Sequence, residues 1–313
     1  MKIDAVVVTY NRIGKLKKCL SNLLECNLDR ILVIDNHSNA DTVKYLDSFS
    51  NRFPRKIKVY HLKQNIGGAG GFNFGLKKFM EIRNADYVWL MDDDSMPTPE
   101  SLNKLSNSLN SLIPSKRGFA TGSIYWKDGS LAKMNVPRKK DNGMQENMQT
   151  VFVNRNVLQE NKIKFVVSAS FVALLLARSA VENCGFPISE FFIWGDDVEY
   201  TSRLTNNGLL GIQVEDAKIL HMSDLNVGTN IVNEGDNISR INLHYFDFRN
   251  GIYISRHNGI FSLAKTLCER ILWVVRILFF AKKYKFLKLK ILVKGTLDGF
   301  SFNPKIEPYS TTG

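Results

Sequence analysis

Three adjacent carboxylates, Asp92, Asp93 and Asp94, directly follow an apolar run at residues 88–91. Neighbouring negative charges repel each other and are costly to remove from water unless a positive group lies between them. A divalent cation such as Mg²⁺ or Mn²⁺ supplies that charge, because it accepts one or two carboxylates together with phosphate oxygens. If the segment is extended, Asp92 and Asp94 are predicted to share the ion while Asp93 faces elsewhere. The alternative is a solvated acidic turn before a helix.

A second acidic cluster lies at residues 194–200, which read WGDDVEY. A carboxylate pair beside an aromatic ring suits a sugar site, where the ring stacks on the sugar and an acid accepts a hydroxyl proton. We therefore predict Asp197 and Asp196 as the catalytic pair, with Asp197 as the general base. Trp194 and Glu199 are predicted to contact an acceptor, although Glu199 and Asp196 could instead orient a basic partner. The competing interpretation is that these acids only stabilise the positive end of a helix.

Weaker signals accompany the acids. Residues 65–71 read NIGGAGG and lack the Gly-Lys-Ser/Thr ending of a P-loop. Their glycines either let the backbone approach a diphosphate or ribose, or form a tight turn between a strand and a helix. His221 follows a strand-like run and is either a third protein ligand to the metal or a structural residue. Arg12 and Lys63 could approach a diphosphate or lie as solvated charges.

The elements that must position these residues follow from the alternation of apolar and helical patterns in the first half of the chain. This alternation is typical of an α/β fold with a mainly parallel sheet. Four strands with helices between them are predicted at residues 5–8, 31–34, 57–62 and 87–91. Each strand is followed by a candidate segment, at residues 9–12, 35–38, 65–71 and 92–94. Because ligands bind at the carboxyl edge of such sheets, these segments together predict a nucleotide-type site.

The second half of the chain is predicted to be less regular. Residues 126–161 are polar and irregular, which indicates a long loop or flap, and the β-branched run at 165–177 returns to the sheet. Helical patterns resume after a polar connection that ends near residue 237. We therefore predict an α/β nucleotide-binding unit at residues 1–232 and a helical, basic and amphipathic region at residues 233–313.

The chain has 313 residues and a formal net charge of +12 at pH 7, with a sequence pI near 9.4. Such a charge suits nucleic acid, an anionic membrane or a phosphorylated substrate, and does not choose among them. The first residues run straight into a strand rather than a signal peptide. The four cysteines lie far apart. We therefore expect reduced thiols and a cytoplasmic location.

Basic residues concentrate between residues 265 and 294, interleaved with apolar ones. The longest apolar stretch there, at residues 271–281, contains Arg276 and is shorter than the ~20 residues needed to span a bilayer. We expect a helix that lies on the inner face of an anionic membrane. Its apolar face is predicted to comprise Leu267, Ile271, Val274, Val275 and Leu278, with a basic fringe of Arg270, Lys282, Lys283 and Lys285. Packing on the catalytic unit or on a second subunit of a homo-oligomer is the alternative.

Taken together, these segments resemble the inverting family 2 glycosyltransferases, which have the GT-A fold. The matching segments are VVTYNR at 7–12, IDN at 34–36, NIGGAGGF at 65–72, DDD at 92–94, WGDDVEY at 194–200 and His221. The glycine-rich segment and the second acidic cluster look most like those of galactofuranosyltransferases, with rhamnosyltransferases close behind. One departure is Gly195 between Trp194 and the acid pair, which leaves the stacking role of Trp194 open.

The resemblance implies a role for each matching residue. Residues expected around the nucleoside are Thr9, Tyr10, Arg12 and Asp35. Residues expected along the rest of the donor are Asn65, Gly68, Gly70, Asn73 and Asp93. The expected ligands of Mn²⁺ or Mg²⁺ are Asp92, Asp94 and His221.

The implied reaction is transfer of galactofuranose from UDP-galactofuranose to a cell-surface polysaccharide or a lipid-linked oligosaccharide, with inversion at the anomeric carbon. Transfer of rhamnose or another hexose is the alternative within the same fold. A nucleotide- or nucleic-acid-binding module is the alternative from another class. No recognisable nucleic-acid-binding motif accompanies the basic charge, so we expect no nucleic-acid partner.

Overall fold

The structure is a computed structural model that describes residues 1–139, 148–226, 228 and 230–310. The strands in this part of the chain are β1 (Ile3–Thr9), β2 (Arg30–Asp35), β3 (Ile57–His61), β4 (Tyr87–Asp92), β5 (Ser95–Met96), β6 (Arg117–Trp126), β7 (Arg138–Lys139), β8 (Ile163–Ser168), β9 (Leu174–Ala177) and β10 (Leu210–His221). The helices are α1 (Ile13–Glu25), α2 (Ala40–Arg52), α3 (Gly67–Ile82), α4 (Pro99–Asn110), α5 (Met148–Val151), α6 (Asn156–Glu160), α7 (Arg178–Cys184), α8 (Asp196–Asn206), α9 (Ile238–His257), α10 (Ile260–Phe280) and α11 (Lys285–Ser301).

All of these strands belong to one mixed sheet. Its order is β3-β2-β1-β4-β9-β6-β10-β8-β7, and β5 pairs with β10. Strands β3, β2, β1 and β4 run parallel, as do β6 and β10. Strand β9 lies antiparallel between β4 and β6, and β5, β7 and β8 are also antiparallel to their neighbours. The predicted α/β fold is confirmed, and its first four predicted strands form one parallel part of the sheet, with β6 and β10 forming another.

Strand β1 shows why the sequence forms a covered sheet. Its residues are buried along the whole strand, including Ala5 and Val6, so both faces of the sheet are covered here. On the helix that follows, Leu16, Leu20 and Leu23 recur at helical spacing and are fully buried. This continuous core fixes the edge at which β1, β2, β3 and β4 end, and the candidate segments follow those ends.

The glycine-rich segment forms the first turns of α3, which corrects the separate turn predicted from the sequence. A Cβ atom on Gly71 would lie 2.6 Å from Cγ1 of Val8, and one on Gly75 would lie 2.4 Å from Cγ1 of Val6. These glycines therefore let the helix approach β1 more closely than a side chain would allow. Sequence reasoning treated Gly71 as a turn residue because glycine also signals turns, whereas Gly75 fell within the predicted helix.

The predicted flap at residues 126–161 is partly structured. Its described residues include the end of β6, strand β7 and the short helices α5 and α6. Residues 140–147 lie outside the described residues, so the prediction of a loop there is not addressed.

The helices α9, α10 and α11 surround a second buried cluster that comprises Ile231, Ile241, Phe248, Ile277, Ala281, Ile291 and Leu292. A hydrogen bond joins the α/β unit to the C-terminal region, because Nδ2 of Asn73 donates to Oε2 of Glu307 at 3.0 Å. The division of the chain at residue 232 stays a proposal.

Among the residues that the structure describes, no helix combines the length and the apolar character that crossing a bilayer requires.

One residue of the predicted basic fringe lies elsewhere. The guanidinium of Arg270 lies 4.8 Å from the ring centre of Phe248 in α9, and a Cβ on Gly251 would lie 2.5 Å from its NH2 atom. Arg270 therefore packs against α9 rather than facing outward, because the missing side chain at Gly251 leaves room for it.

We predict that Gly75→Ala destabilises the fold, because the added Cβ would lie 2.4 Å from Val6 and 3.2 Å from Ile34. Overpacking of this kind costs about 1–3 kcal/mol. The matched control is Gly14→Ala in α1, where a Cβ meets nothing within 4 Å and alanine favours the helix. Urea unfolding followed by circular dichroism measures both free energies. Equal stability of the two variants would contradict the packing role of Gly75.

Candidate active site

The first acidic cluster lies at the end of β4. Asp92 is the last residue of that strand, and Asp93 and Asp94 form a tight turn into β5, so the segment is not extended as assumed from the sequence. Pairing of β5 with β10 sets Ser95 opposite His221. The carboxylates of Asp92 and Asp94 and the imidazole of His221 each offer a ligand atom, and these atoms lie within 4.8 Å of one another.

The orientation of the His221 ring follows from a neighbour that sequence reasoning missed. Nδ2 of Asn135 donates to Oγ of Ser170 at 3.0 Å, so the amide oxygen of Asn135 faces Nδ1 of His221, also at 3.0 Å. The Nδ1–H group therefore donates, which leaves Nε2 directed at Oδ1 of Asp94 at 3.0 Å. An imidazole lone pair facing a carboxylate is stable only with a proton or a cation between them. These residues therefore fit a divalent metal ion, with carboxylate and imidazole ligands.

Two cations lie beside the acidic turn. Oδ2 of Asp94 is 3.1 Å from NH1 of Arg12 and 3.5 Å from Nζ of Lys15, which lies in α1. Asp93 accepts a hydrogen bond of 2.7 Å from Oγ1 of Thr9, and its other oxygen is 3.5 Å from NH1 of Arg12. Thr9 and Arg12 therefore lie at the acidic turn, next to where a diphosphate would meet a metal.

Burial sets the pKa values of these carboxyl groups. It raises the pKa of Asp93 to about 7, against the opposing effects of Arg12 and Thr9. It also raises the pKa of Asp92, and the charge of Asp94 adds to that effect. For Asp94 burial acts in the same direction, but the hydrogen bond and charge of His221, together with Arg12 and Lys15, lower the pKa. The cluster thus holds more negative charge than its cations neutralise, as a metal site requires.

The second acidic cluster begins helix α8. Gly195 precedes the helix with a φ of +86°, and Asp196 and Asp197 occupy its first turn. Oδ1 of Asp197 accepts a hydrogen bond of 2.7 Å from the backbone N–H of Val198. Burial, with the charge of Asp92 adding to it and the hydrogen bond from Val198 opposing it, raises the pKa of Asp197 to about 6. Burial raises the pKa of Asp196 well above its usual value, with Asp197 and then Asp92 adding to the effect.

The position of the acid pair relative to Asp92 shows how close the two acidic clusters lie in the fold. Charge interactions weaken with distance and are screened where water intervenes. The packing places the end of β4 near the start of α8, because Val8 pairs with Asp92, Gly71 of α3 packs against Val8, and the N–H of Ala69 in α3 donates to the carbonyl oxygen of Phe192 just before α8. The effect of Asp92 on the pKa of both Asp196 and Asp197 agrees with this placement. The structure thus brings the two acidic clusters into one region, although they are separated by a hundred residues in the sequence.

The contacts of Glu199 favour one of its two predicted roles. Its carboxylate receives two hydrogen bonds from Arg203, at 2.8 Å and 3.1 Å. Arg203 also donates to the carbonyl oxygens of Cys184 and Phe186. Glu199 therefore orients a basic partner within the protein, and contact with an acceptor stays a prediction. The ring of Trp194 lies 5.0 Å from that of His244, and its stacking on a sugar also stays a prediction.

The predicted nucleoside residues lie at neighbouring strand ends. Asp35 is buried, accepts a hydrogen bond from the backbone N–H of Ser38 at 3.0 Å and lies 2.6 Å from Nδ1 of His61. Tyr10 is exposed after β1. Oδ1 of Asn65 accepts a hydrogen bond of 3.0 Å from Nδ2 of Asn36. This contact fixes the entry to α3 from the side of β2.

The three residues of α3 that were predicted to contact the sugar donor, Gly68, Gly70 and Asn73, differ in how accessible they are. At Gly68 a Cβ would meet nothing within 4 Å, so the backbone there is accessible, whereas at Gly70 it would lie 2.8 Å from the side chain of Ile66. Asn73 is buried and donates both amide hydrogens, to the carbonyl oxygen of Pro187 at 2.8 Å and to Glu307 at 3.0 Å. The structure therefore gives Asn73 a contact with the C-terminal segment, and its donor role stays a prediction.

Sequence reasoning missed Lys15 and Asn135, and it included Asn36 in a candidate segment without giving it a role. Lys15 lies three residues after Arg12, and that helical spacing was a usable signal for a pair of cations on one face. Asn36 stood next to the predicted Asp35. Asn135 gave no signal, because it lies in the irregular stretch after β6 and reaches His221 only through the fold.

Comparison with known proteins identifies the family that this chain matches. The sequence profile of Glycosyl transferase family 2 matches residues 4–167. "Galactofuranosyltransferase GlfT1" of Mycolicibacterium smegmatis is 26% identical over 218 residues, which cover 66% of this chain and 66% of that protein. "dTDP-rhamnosyl transferase RfbF" of Shigella flexneri is 24% identical over 309 residues, which cover 95% of both chains.

Solved structures share the fold at low sequence identity. The mannosyltransferase PcManGT from Pyrobaculum calidifontis, in complex with GDP-Man and Mn²⁺, has a TM-score of 0.54 and 14% identity, over 96% of this chain and 87% of that one. GalNAc-T7 with UDP, GalNAc and Mn²⁺ has a TM-score of 0.56 and 13% identity, over 81% of this chain and half (50%) of that one. These similarities confirm the predicted GT-A type of fold.

We predict that Asp197→Asn stabilises the metal-free protein at pH 8. A carboxyl group whose pKa is about 6 in the folded chain and 3.8 in the unfolded chain makes stability fall as the pH rises from about 4 past 6. Asparagine removes that penalty and can still accept from Val198. We expect a gain of about 1–2 kcal/mol at pH 8, less than the full shift implies because the side chain is partly exposed, and none at pH 4.

Urea unfolding in the presence of a chelator at both pH values measures this difference. Glu81→Gln, on the exposed surface of α3, is the control for removing a carboxylate. A loss of stability at pH 8 in Asp197→Asn would show that Asp197 is held by favourable contacts instead.

Proposed function

This chain belongs to glycosyl transferase family 2, and we propose that it transfers a sugar from a nucleotide sugar to a glycan or lipid-linked glycan acceptor with inversion at the anomeric carbon. One observation carries the proposal. The acid pair at the start of α8 lies within the electrostatic influence of Asp92, which stands beside Asp94 and His221. A base and a metal site in one region are what such a transfer needs.

The metal part of the proposal rests on Asp92, Asp94 and His221, which would hold Mn²⁺ or Mg²⁺. When bound, such an ion neutralises charge on the departing nucleoside diphosphate. Arg12 and Lys15 now pair with Asp94, and a cation bound to Asp94 would free them for the phosphate oxygens. Proteins of the same fold were solved with Mn²⁺ and with GDP-Man or UDP, which supports a metal and a nucleotide sugar here.

Asp197 would act as the general base. The N–H of Val198 occupies its Oδ1, so Oδ2 is the oxygen left for the hydroxyl proton of an acceptor. A pKa of about 6 leaves the carboxylate ionised at neutral pH while keeping it more basic than an ordinary aspartate. Asp196 lies beside it, and burial raises its pKa as well, so the two carboxyl groups would titrate as a pair.

Two donors have specific support. Galactofuranose from UDP-galactofuranose is our first choice, because the glycine-rich and second acidic segments resemble those of galactofuranosyltransferases and GlfT1 is a relative. Rhamnose from dTDP-rhamnose is the second, because the match to RfbF runs along 95% of both chains. Family membership argues against the alternative of a pure nucleotide- or nucleic-acid-binding module.

We further propose that the C-terminal helices rest on the inner face of an anionic membrane. Phe261 and Phe279 of α10 and Phe286 of α11 are 90%, 76% and 83% exposed. We define the apolar stripe as the exposed large apolar residues of both helices, Ile260, Phe261, Ile271, Leu272, Val275, Leu278, Phe279, Phe280, Phe286, Val293, Leu297 and Phe300. Exposed aromatic and aliphatic side chains gathered on two helices in this way are typical of an interaction site.

The charge around the apolar stripe favours lipid over a second copy of the chain. The exposed basic side chains of these helices and their connection are Lys265, Arg276, Lys282, Lys283, Lys285, Lys290 and Lys294, against the acidic residues Glu269 and Asp298. A two-fold contact between identical faces would place these positive charges opposite one another. An anionic bilayer accepts both the aromatic rings and the lysines. Acceptors attached to lipid would then lie near the site.

The catalytic proposal predicts that two variants fail in different ways. Asp94→Asn is expected to lose metal-dependent binding of the nucleotide sugar, because it removes a ligand oxygen. Asp197→Asn is expected to keep that binding and to lose about 10²–10⁴-fold in transfer rate, as removal of a general base does. In the wild type, the rate should rise with pH up to about 6, where Asp197 becomes deprotonated.

Calorimetric binding of UDP-galactofuranose and dTDP-rhamnose, with Mn²⁺ or with chelator, and a transfer assay measure these effects. Glu81→Gln is the control. A wild type that binds neither nucleotide sugar in the presence of metal would contradict the proposal. Full turnover by Asp197→Asn would refute its assignment as the base.

The membrane proposal predicts that the full chain sediments with vesicles containing phosphatidylglycerol and not with neutral vesicles. The double variant Phe279→Glu and Phe286→Glu should bind at least about tenfold more weakly, because each buried phenylalanine contributes more than 1.4 kcal/mol. Val153→Glu, at another exposed apolar side chain, is the control. Equal vesicle binding by the double variant, or a wild-type dimer that this variant dissociates, would count against the membrane.

A further inference from the structure

The loop at residues 190–195 leads into α8 with an unusual backbone. Phe192 has φ 63° and ψ −60°, and the N–H of Ile193 donates to the carbonyl oxygen of Phe191 at 2.7 Å, which makes a tight γ-turn at a positive φ. Trp194 also has a positive φ of 63°, and Gly195 follows at 86°. Non-glycine residues in such conformations cost of order 1–3 kcal/mol each and persist only where their surroundings hold them.

Donors from two other helices hold this loop. Nδ2 of Asn250 in α9 lies 3.0 Å from the carbonyl oxygen of Phe191, 3.2 Å from that of Ile193 and 2.8 Å from that of Trp194. The carbonyl oxygen of Glu190 accepts from NH2 of Arg249 at 2.6 Å, and that of Phe192 accepts from the N–H of Ala69 at 3.1 Å. Each carbonyl oxygen from residue 190 to residue 194 therefore lies within hydrogen-bond distance of a donor from outside the loop, and three of them share the two amide hydrogens of Asn250.

Arg249 fixes which way the amide of Asn250 points. Its Nε and NH2 atoms donate to Oδ1 of Asn250 at 3.0 Å and 2.9 Å. The amide oxygen is therefore turned toward Arg249 and the amide hydrogens toward the loop. The guanidinium itself lies 3.8 Å from the ring centre of Phe302, and Asn250 is only 1% exposed. A buried pair with this geometry has little freedom to rearrange.

We propose that Asn250, oriented by Arg249, is a positioning residue for sugar transfer: it holds the 190–195 loop in the strained backbone that presents Asp197 to the metal cluster. This inference rests on the proposed function. It does not make Asn250 catalytic, because the contacts of its side chain are with protein carbonyl groups and Arg249. Helix α8 begins directly after the loop, so the dihedral angles of Trp194 and Gly195 set where the acid pair lies.

The same loop also touches the predicted donor side. A Cβ on Gly67 would lie 2.0 Å from the carbonyl oxygen of Phe192, so the start of α3 and the loop are packed directly against each other. Helix α9 therefore contacts a loop that leads directly into the acid pair and also packs against the glycine-rich helix α3. A small movement of the loop therefore displaces the base, and misplacement by about 1 Å lowers rates about 10²-fold.

The test uses Asn250→Ala and Asn250→Asp in the full chain. Alanine removes the donors, and aspartate replaces them with an acceptor that faces carbonyl oxygens. Both should lower kcat about 100-fold while the Kd for the metal stays within about threefold, because the ligands of the acidic turn lie on the sheet and not on the loop. Ile241→Val, in a buried position of the same helix, is the control and should retain kcat.

The pH profile separates positioning from simple loss of stability. In the wild type the acidic limb of kcat should lie near pH 6, and in Asn250→Ala it should move toward the value of an ordinary aspartate as the loosened loop lets water reach Asp197. Calorimetric melting and the stoichiometry of donor binding report the folded fraction of each variant. A fall in kcat that only follows that fraction, with an unmoved pH limb, would overturn the inference.

The outcomes also separate this inference from the function on which it rests. An active wild type whose two folded Asn250 variants are equally active would overturn the positioning role alone. A wild type that binds metal and nucleotide sugar but hydrolyses or transfers nothing would overturn the proposed function itself, whatever the variants do.

Discussion

The structure depends on how it accommodates buried negative charge at one edge of its sheet. Asp93 and Asp94 are each 2% exposed, and Asp92 adds a third carboxylate at the same strand end. Arg12 and Lys15 offset part of this charge. Buried carboxylates destabilise the folded chain unless a further cation lies among them. The cluster therefore fits a site that is formed before its metal ion binds.

Several elements place side chains around this acidic cluster. The two-residue strand β5 turns the chain so that β10 delivers His221 beside Asp94, and Asn135 sets the ring orientation. Parallel strands β1, β2 and β3 end at the same edge and present Thr9 and Asp35. The apolar core beneath them is continuous, so the geometry of the edge follows from ordinary packing of strands and helices.

The C-terminal helices contact the loop that precedes the second acidic cluster. Helix α9 contributes Arg249 and Asn250, which hold the loop before the acid pair, and its other neighbours are α10 and α11 with their apolar stripe. One helical layer is therefore in contact with both the loop that carries Asp196 and Asp197 and the surface that we propose meets lipid. This arrangement argues against treating the region after residue 232 as an independent appendage.

The sequence by itself determined the elements β1 to β4, the helices between them and the chemical identity of the acidic clusters, because periodicity and local residue types encode these directly. It misplaced the glycines at residues 67–71 as a turn, since the close approach of Gly71 to Val8 is a contact between distant segments. Only the tertiary structure decided the orientation of the His221 ring, the pairing of Lys15 with Asp94 and the contacts of Asn250 with its loop. Each of these depends on atoms from segments far apart in the chain, whose distances no local pattern contains.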